Sequence, residues 1–248
     1  MATSWPSRLF RAVGLRVRRA GADNRFDAAG DVLHGLARRG YRPAVVIDAG
    51  ANRGTWTDLA CTVFPDATFH LIEPQPARVA DLGRFRPPRF HVHAVAVTRP
   101  GVERVVMAGV TGDSSDTGAY VTREGRPSDG HTLTAPASTF DALLAHRVAP
   151  LDRALLKLDL EGHELAALDG AERLLAGVEA IFTEVQFYDI EQAGHPTFSD
   201  VLDYLRARGF DLHDIAALAS RPRDGRLRMG DALFVRRDSP LGDDVRWE

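Results

Sequence analysis

The chain has 248 residues, of which 44% are hydrophobic and 26% charged, with a formal net charge of −3. That balance excludes disorder, collagen and fibre, and the apolar supply is enough for a sizeable core. It also lacks the basic excess of a duplex nucleic-acid binder, so no nucleic acid is expected as a partner. A single cysteine, Cys61, excludes an internal disulfide and fits a reducing, cytoplasmic compartment.

Residues 1–42 are expected to form an N-terminal helical cap. Arg8, Arg11, Arg16, Arg18, Arg19 and Arg25 alternate there with Trp5, Leu9, Phe10 and Val13. No apolar run is long enough for a signal-peptide core or a transmembrane segment. The basic residues are read as a solvated face, the other option being contact with a membrane or an acidic partner. Residues 43–237 are the expected main domain and 238–248 a C-terminal tail.

From Pro43 the pattern alternates. Ala44 to Ile47 reads as a buried strand, Thr55 to Phe64 as a helix and Thr68 to Ile72 as a strand. Ala77 to Phe85 reads as a helix and Phe90 to Val97 as a strand. This alternation predicts an α/β fold, a doubly wound, mostly parallel Rossmann-like sheet. Residues 101–136 break it. They read as a β-hairpin-like insertion, with strand pieces at Glu103–Met107 and His131–Ala135 and a mobile loop at Gly109–Gly118. Then follow a helix over Ser138–His146 capped by Ser138 or Thr139, a strand over Ala154–Leu160, and a helix over His163–Leu175. A strand over Ala180–Val185 and a helix over Thr197–Arg208 come next. Two last strands, Phe210–Ile215 and Ala232–Val235, flank an Arg-rich turn.

In such a sheet ligands lie beyond the carboxyl ends of the strands. Those ends carry Asp48 with Gly50, Asn52 and Gly54, then Glu73, Ala94–Val95, Asp159 with Glu161, and Glu184. The D-A-G-A-N-R-G loop lacks both the third glycine of a dinucleotide fingerprint and the Gly-Lys-Ser/Thr of a phosphate loop. Opening on a carboxylate, it suits a cationic group such as an ammonium; the alternative is a tight turn with no ligand. Glu73, 25 residues after Asp48, can accept from both hydroxyls of a ribose. Ribose plus ammonium without a pyrophosphate cradle describes S-adenosyl-L-methionine better than NAD.

The third signal is L-L-K-L-D-L-E-G-H-E. Lys157 is the only lysine among 31 basic residues, and Arg substitutes poorly where a compact ammonium is wanted. Lys157 and Asp159 share a strand face, and Asp159 is expected at the tip facing a cleft, because burying it is costly. Together with Glu161, His163, Glu164 and Glu184 it makes an acid/base or metal site. The structural alternatives are a first-turn carboxylate at Glu164 and a simple ion pair at Lys157.

The blocks V-I-D-A-G-A-N-R-G, H-L-I-E-P, S-T-F-D-A-L-L, L-L-K-L-D-L-E-G-H-E-L-A-A-L-D-G-A and T-E-V resemble the FkbM family of S-adenosylmethionine-dependent methyltransferases, from about Val45 to Val235. Phe140 stands where that family usually has Leu. The resemblance implies a class I methyltransferase fold and O-methylation of a hydroxyl on a small-molecule acceptor, a sugar or natural-product intermediate. It implies that Asp48, Gly50, Asn52, Gly54 and Glu73 hold the cofactor, with Asp159, Glu161, His163 and Glu184 on the substrate side. Ala94 and Asp159 are added as cofactor neighbours from their strand-end positions. His163 is the first choice of general base, with Asp159 or Glu184 as deputies. A Mg²⁺ held by Asp159 and Glu184 is permitted but not demanded. A non-catalytic cofactor-binding module is the rival from another class. An NAD-dependent oxidoreductase or epimerase fails on the missing glycine and on the lack of a Tyr-x-x-x-Lys pair. A dimer remains open.

Overall fold

The structure is a computed structural model that describes residues 25–110, 118–122, 132–149, 152–189 and 194–242. The basic segment before Arg25 and most of the expected loop at Gly109–Gly118 lie outside the described residues, as does the end of the tail.

Seven strands form the central sheet: β1 (Val45–Ala49), β2 (Thr68–Ile72), β3 (Phe90–His93), β8 (Ala154–Leu158), β9 (Val178–Gln186), β10 (Phe210–Ser220) and β11 (Leu227–Arg236). Their order is β10-β11-β9-β8-β1-β2-β3. The pairs from β3 to β9 are parallel, and β11 runs antiparallel to both β9 and β10. Every residue of β1 and β8 is buried, as a parallel strand covered on both faces requires. One face is covered by α1 (Arg25–Arg38) and α2 (Thr55–Val63), which bring Leu33, Leu36, Trp56 and Ala60 onto Phe69 and Leu155. The other face is covered by α4 (Phe140–Leu144), α5 (Glu164–Leu168) and α6 (Phe198–Ala207), through Phe140, Leu144, Leu168 and Leu205. A short α3 (Pro76–Asp81) follows β2. Among the described residues no helix is long and apolar enough to cross a membrane.

A smaller sheet of order β4-β7-β5-β6 rises from the insertion, built from β4 (Ala96–Val97), β5 (Arg104–Ala108), β6 (Tyr120–Val121) and β7 (Leu133–Ser138). Its own core is Ala96, Val105, Met107 and Ala135.

Several elements differ from expectation. The strand expected over Phe90–Val97 is two strands in two sheets. The chain turns at Ala94, where the Val95 N–H returns to the His93 carbonyl at 3.0 Å, and β4 leaves to pair with β7. The helix expected over His163–Leu175 stops at Leu168. Gly170 passes so close to β4 that a Cβ there would stand 2.3 Å from the Thr98 carbonyl oxygen. The Asp141 carboxylate then accepts from the Arg173 and Leu174 N–H groups, at 3.0 and 2.8 Å, and the chain restarts as a 3₁₀ turn at Leu174–Gly177. The helix expected over Ala77–Phe85 is α3 followed by a 3₁₀ turn, Leu82–Arg84. The strand expected over Ala154–Leu160 ends at Leu158, and the last two strands are longer than expected. The α4 cap is Thr139, whose hydroxyl accepts from the Ala142 N–H at 3.0 Å.

Candidate active site

The loop after β1 is a chain of left-handed turns. Gly50, Asn52 and Gly54 have φ of 76°, 47° and 77°, a region open to glycine and tolerated by asparagine. A Cβ on Gly50 would lie 2.0 Å from the Asp159 carbonyl oxygen, so the loop rests directly on the tip of β8. Gly54 serves packing, since a Cβ there would meet the Phe85 ring at 2.4 Å. At the tip of β2, Glu73 ties the loop to the next turn. Its Oε2 accepts from the Asn52 N–H and its Oε1 from the Gln75 N–H, both at 2.9 Å. Burial raises its pKa, and the two backbone donors oppose that rise.

Asp48 does not reach a ligand cavity. It is fully buried, and its Oδ2 accepts from the Thr57 hydroxyl at 2.6 Å. Its Oδ1 forms an ion pair with Lys157 Nζ at 3.0 Å. Lys157 also donates to the Gly50 carbonyl at 2.9 Å and stands 3.5 Å from Asp159. Burial alone would lower the Lys157 pKa, but Asp48 and Asp159 outweigh it and hold the ammonium charged. The single lysine is therefore a compact internal counter-ion, and the direct cation contact expected of Asp48 is taken by Lys157 itself. A buried carboxylate one residue before the strand end needs such a partner.

A cavity of about 270 Å³ opens between these strand tips and the small sheet. Glu73, Asp159, Glu161 and His163 share its wall with Gly50 and Asn52, and Trp56, Ile72 and Val95 supply apolar surface. Gly54 and Ala94 are absent from that wall. The turn that splits β3 from β4 presents Val95 and Ala96 instead of Ala94.

Beyond Asp159 the chain makes a tight turn, closed by the His163 N–H donating to the Leu160 carbonyl at 3.2 Å. Its central residues, Glu161 and Gly162, have φ of 51° and 89°. A glutamate at positive φ is uncommon and stores strain of the kind found at functional sites. Glu164 holds the turn: its Oε1 accepts from the Leu160 N–H at 2.9 Å and the Gly162 N–H at 3.3 Å. Burial pushes its carboxyl up to about 6 despite these donors. Glu161 is pushed up to about 9 by burial and by the neighbouring Glu184, Asp159 and Glu164. His163 is oriented from the small sheet, with Nε2 2.9 Å from the Thr98 hydroxyl.

Glu184 lies behind this wall, in a separate cavity of about 90 Å³ shared with Asp159, Trp56 and Phe26. Arg25 of α1 donates to Glu184 Oε2 at 2.7 Å and to Asp231 Oδ2 at 3.0 Å. Burial and Asp159 raise the Glu184 carboxyl, and Arg25 opposes them. Among the described residues no group of three His, Cys, Asp or Glu side chains is arranged to hold a metal ion. With a guanidinium seated on Glu184, the Asp159–Glu184 pair does not fit a Mg²⁺. Sequence reasoning missed the Arg25–Glu184–Asp231 clamp and the Thr98 partner of His163. Asp231, a lone acid in an apolar strand, was the available signal for the first.

The chain matches the methyltransferase FkbM domain over residues 48–212. It belongs to the FkbM methyltransferase family. No curated protein matches it by sequence. Among solved structures, this FkbM-family protein is similar to the Burkholderia thailandensis 1,6-didemethyltoxoflavin-N1-methyltransferase bound to 1,6-didemethyltoxoflavin and S-adenosylhomocysteine. That likeness has 17% identity and a TM-score of 0.48, covering 94% of this chain and 84% of that one. A putative sarcosine dimethylglycine methyltransferase from Galdieria sulphuraria is similar at 11% identity and a TM-score of 0.49, covering 84% of this chain and 85% of that one. A methyltransferase from Geobacter sulfurreducens is similar at 13% identity and a TM-score of 0.47, covering 95% of this chain and 90% of that one. The family match and the sheet order, with β11 antiparallel beside an otherwise parallel run from β3 to β9, make the fold that of a class I methyltransferase, and the family's cofactor is S-adenosyl-L-methionine.

Proposed function

We propose that this protein is an O-methyltransferase that methylates a hydroxyl of a small molecule of the sugar or natural-product class. The residues on the cavity wall fit the cofactor. Glu73 offers a carboxylate to the ribose hydroxyls, and Asp159 offers one to the amino-acid ammonium. The loop carrying Gly50 and Asn52 lines the cavity between them. The buried Trp56 indole N–H has no acceptor among the described residues, and a ligand in this cavity supplies one. When bound, S-adenosyl-L-methionine supplies an activated methyl group on a good leaving group.

The protein's own work is alignment and proton removal. Alignment of the reacting groups is worth several kcal/mol in such displacements. An alcohol loses its proton as the new C–O bond forms, so a base must face it. The observation that carries this reading is the shared wall: His163, Asp159 and Glu73 line one cavity, and Thr98 fixes the His163 ring. His163, held on that wall by Thr98, is the general base. Asp159, paired with Lys157, orients the ammonium.

His163→Ala is expected to keep its affinity for S-adenosylhomocysteine and lose about 10²–10⁴ in turnover. Single-turnover methyl transfer to a panel of hydroxylated acceptors, with calorimetry for the cofactor, separates the two. Turnover equal to wild type would remove His163 from the role of base.

A further inference from the structure

On the other side of His163 from the cofactor cavity lies a second and larger hollow, a groove of about 970 Å³. The two share His163 and Val121. One bank of the groove runs from the end of β4 into β5 and carries Arg99 and, at the start of β5, Arg104, both exposed. Several arginines of the described residues are paired with a carboxylate, as at Arg25, Arg84, Arg153 and Arg237. Among the described residues Arg99 and Arg104 have no such pairing. Among the described residues the one acid lining the groove, Asp200, is already engaged: it accepts from the Thr197 N–H and hydroxyl, each at 2.7 Å.

The opposite bank carries His195. This side chain is only 8% exposed, and its Nδ1 is buried with no hydrogen-bond partner among the described residues. Its place is held open by two neighbours. Gly162, at positive φ, leaves room for the ring, since a Cβ there would stand 2.6 Å from it. Tyr120 of the small sheet packs edge-on against it, with centroids 6.2 Å apart. A buried nitrogen without a partner calls for an explanation, and a ligand polar atom in the groove provides one.

We propose that this groove seats the methyl acceptor and that the acceptor carries an oxyanion, a carboxylate or a phosphate, held by Arg99 and Arg104. Guanidinium groups suit the planar or tetrahedral oxygens of either group. A further polar atom of the acceptor meets His195 Nδ1, and the reacting hydroxyl reaches His163 where groove and cavity join. The assignment rests on the methyltransferase reading above and names the substrate class of that same site.

The test uses the whole chain saturated with S-adenosylhomocysteine, titrated calorimetrically with glucuronate, glucose 1-phosphate and glucose. Cofactor binding is measured first and on its own, so its failure is seen separately from a failure in the groove. The expected result is that at least one anionic sugar binds tenfold or more tightly than glucose, and which one binds distinguishes carboxylate from phosphate. The Arg99→Ala/Arg104→Ala double variant, altered only at exposed positions, is expected to lose that preference and keep its S-adenosylhomocysteine affinity. His195→Phe, which keeps the ring against Tyr120, is expected to weaken the anionic sugar at least threefold. Equal binding of all three sugars, no binding of either anionic one, or a preference that survives in the double variant would overturn the proposal.

Discussion

The cofactor cavity and the groove beyond His163 share a wall and are built by different means. The cavity is anchored to backbone: three left-handed residues between Gly50 and Gly54, a carboxylate that accepts from two peptide N–H groups, and a lysine that ties β1 to β8. The groove is made of side chains from separate stretches, with Arg99 and Arg104 on one bank and His195 on the other. A site fixed by backbone geometry tolerates few residues at each position, whereas side chains on loops and a small second sheet can be exchanged at little cost. The first arrangement suits a ligand common to a whole family, and the second suits an acceptor that differs between members.

That contrast can be broken most forcefully at Lys157. Lys157→Met leaves Asp48 fully buried with only the Thr57 hydroxyl. The expected loss is about 3–5 kcal/mol of stability, the usual result of removing one partner of a buried pair. Urea unfolding measures it, and Arg99→Ala serves as the surface control, expected within about 0.5 kcal/mol of wild type. A Lys157→Met protein as stable as that control would show that the pair does not hold the loop. Adding Asp48→Asn to Lys157→Met should recover part of the loss, because the two sites are coupled.

Glu73→Ala comes next. It takes two acceptors from the Asn52 and Gln75 N–H groups and the carboxylate from the ribose. Each charge-assisted bond is worth about 1.5–3 kcal/mol before relaxation. S-adenosylhomocysteine affinity is expected to fall tenfold or more, and calorimetry showing unchanged affinity would refute the ribose contact.

A pH-dependent effect is expected at Glu161. Its folded-state pKa of about 9 lies above the ordinary glutamate value of 4.5. Between those two values the native state holds a proton that the unfolded chain has lost, so its stability contribution falls as pH rises. Glu161→Gln lacks that titration. The variant is expected to gain on wild type progressively between pH 5 and pH 9, read from urea midpoints at several pH values. Parallel profiles for the two proteins would place Glu161 in water-like surroundings.

Much of the backbone-built half could be read from residue order. The β2 span and the start of α2 follow from short apolar runs and Gly-rich punctuation, and the strand tips locate Glu73, Asp159 and His163. The role of Asp48 could not be read that way. A strand-end carboxylate looks the same whether it faces a ligand or an ammonium, and only the β1–β8 register, pairing Asp48 with Lys157, decides it. The break after Leu168 was also hidden, because its cause is the approach of Gly170 to Thr98 across the fold. The Arg25–Asp231 contact joins residues 206 apart, and periodicity carries no information at that range. The groove was the least legible part, since its banks come from an insertion and a loop with no pattern of their own.

The central claim is that the cavity between the loop after β1 and Glu73 holds S-adenosyl-L-methionine. Calorimetric titration of the wild-type protein with S-adenosylhomocysteine, and in parallel with NAD, tests it most directly. The expected result is a single site of micromolar or tighter affinity for S-adenosylhomocysteine and no heat with NAD. Absence of S-adenosylhomocysteine binding, or binding of NAD in its place, would contradict it.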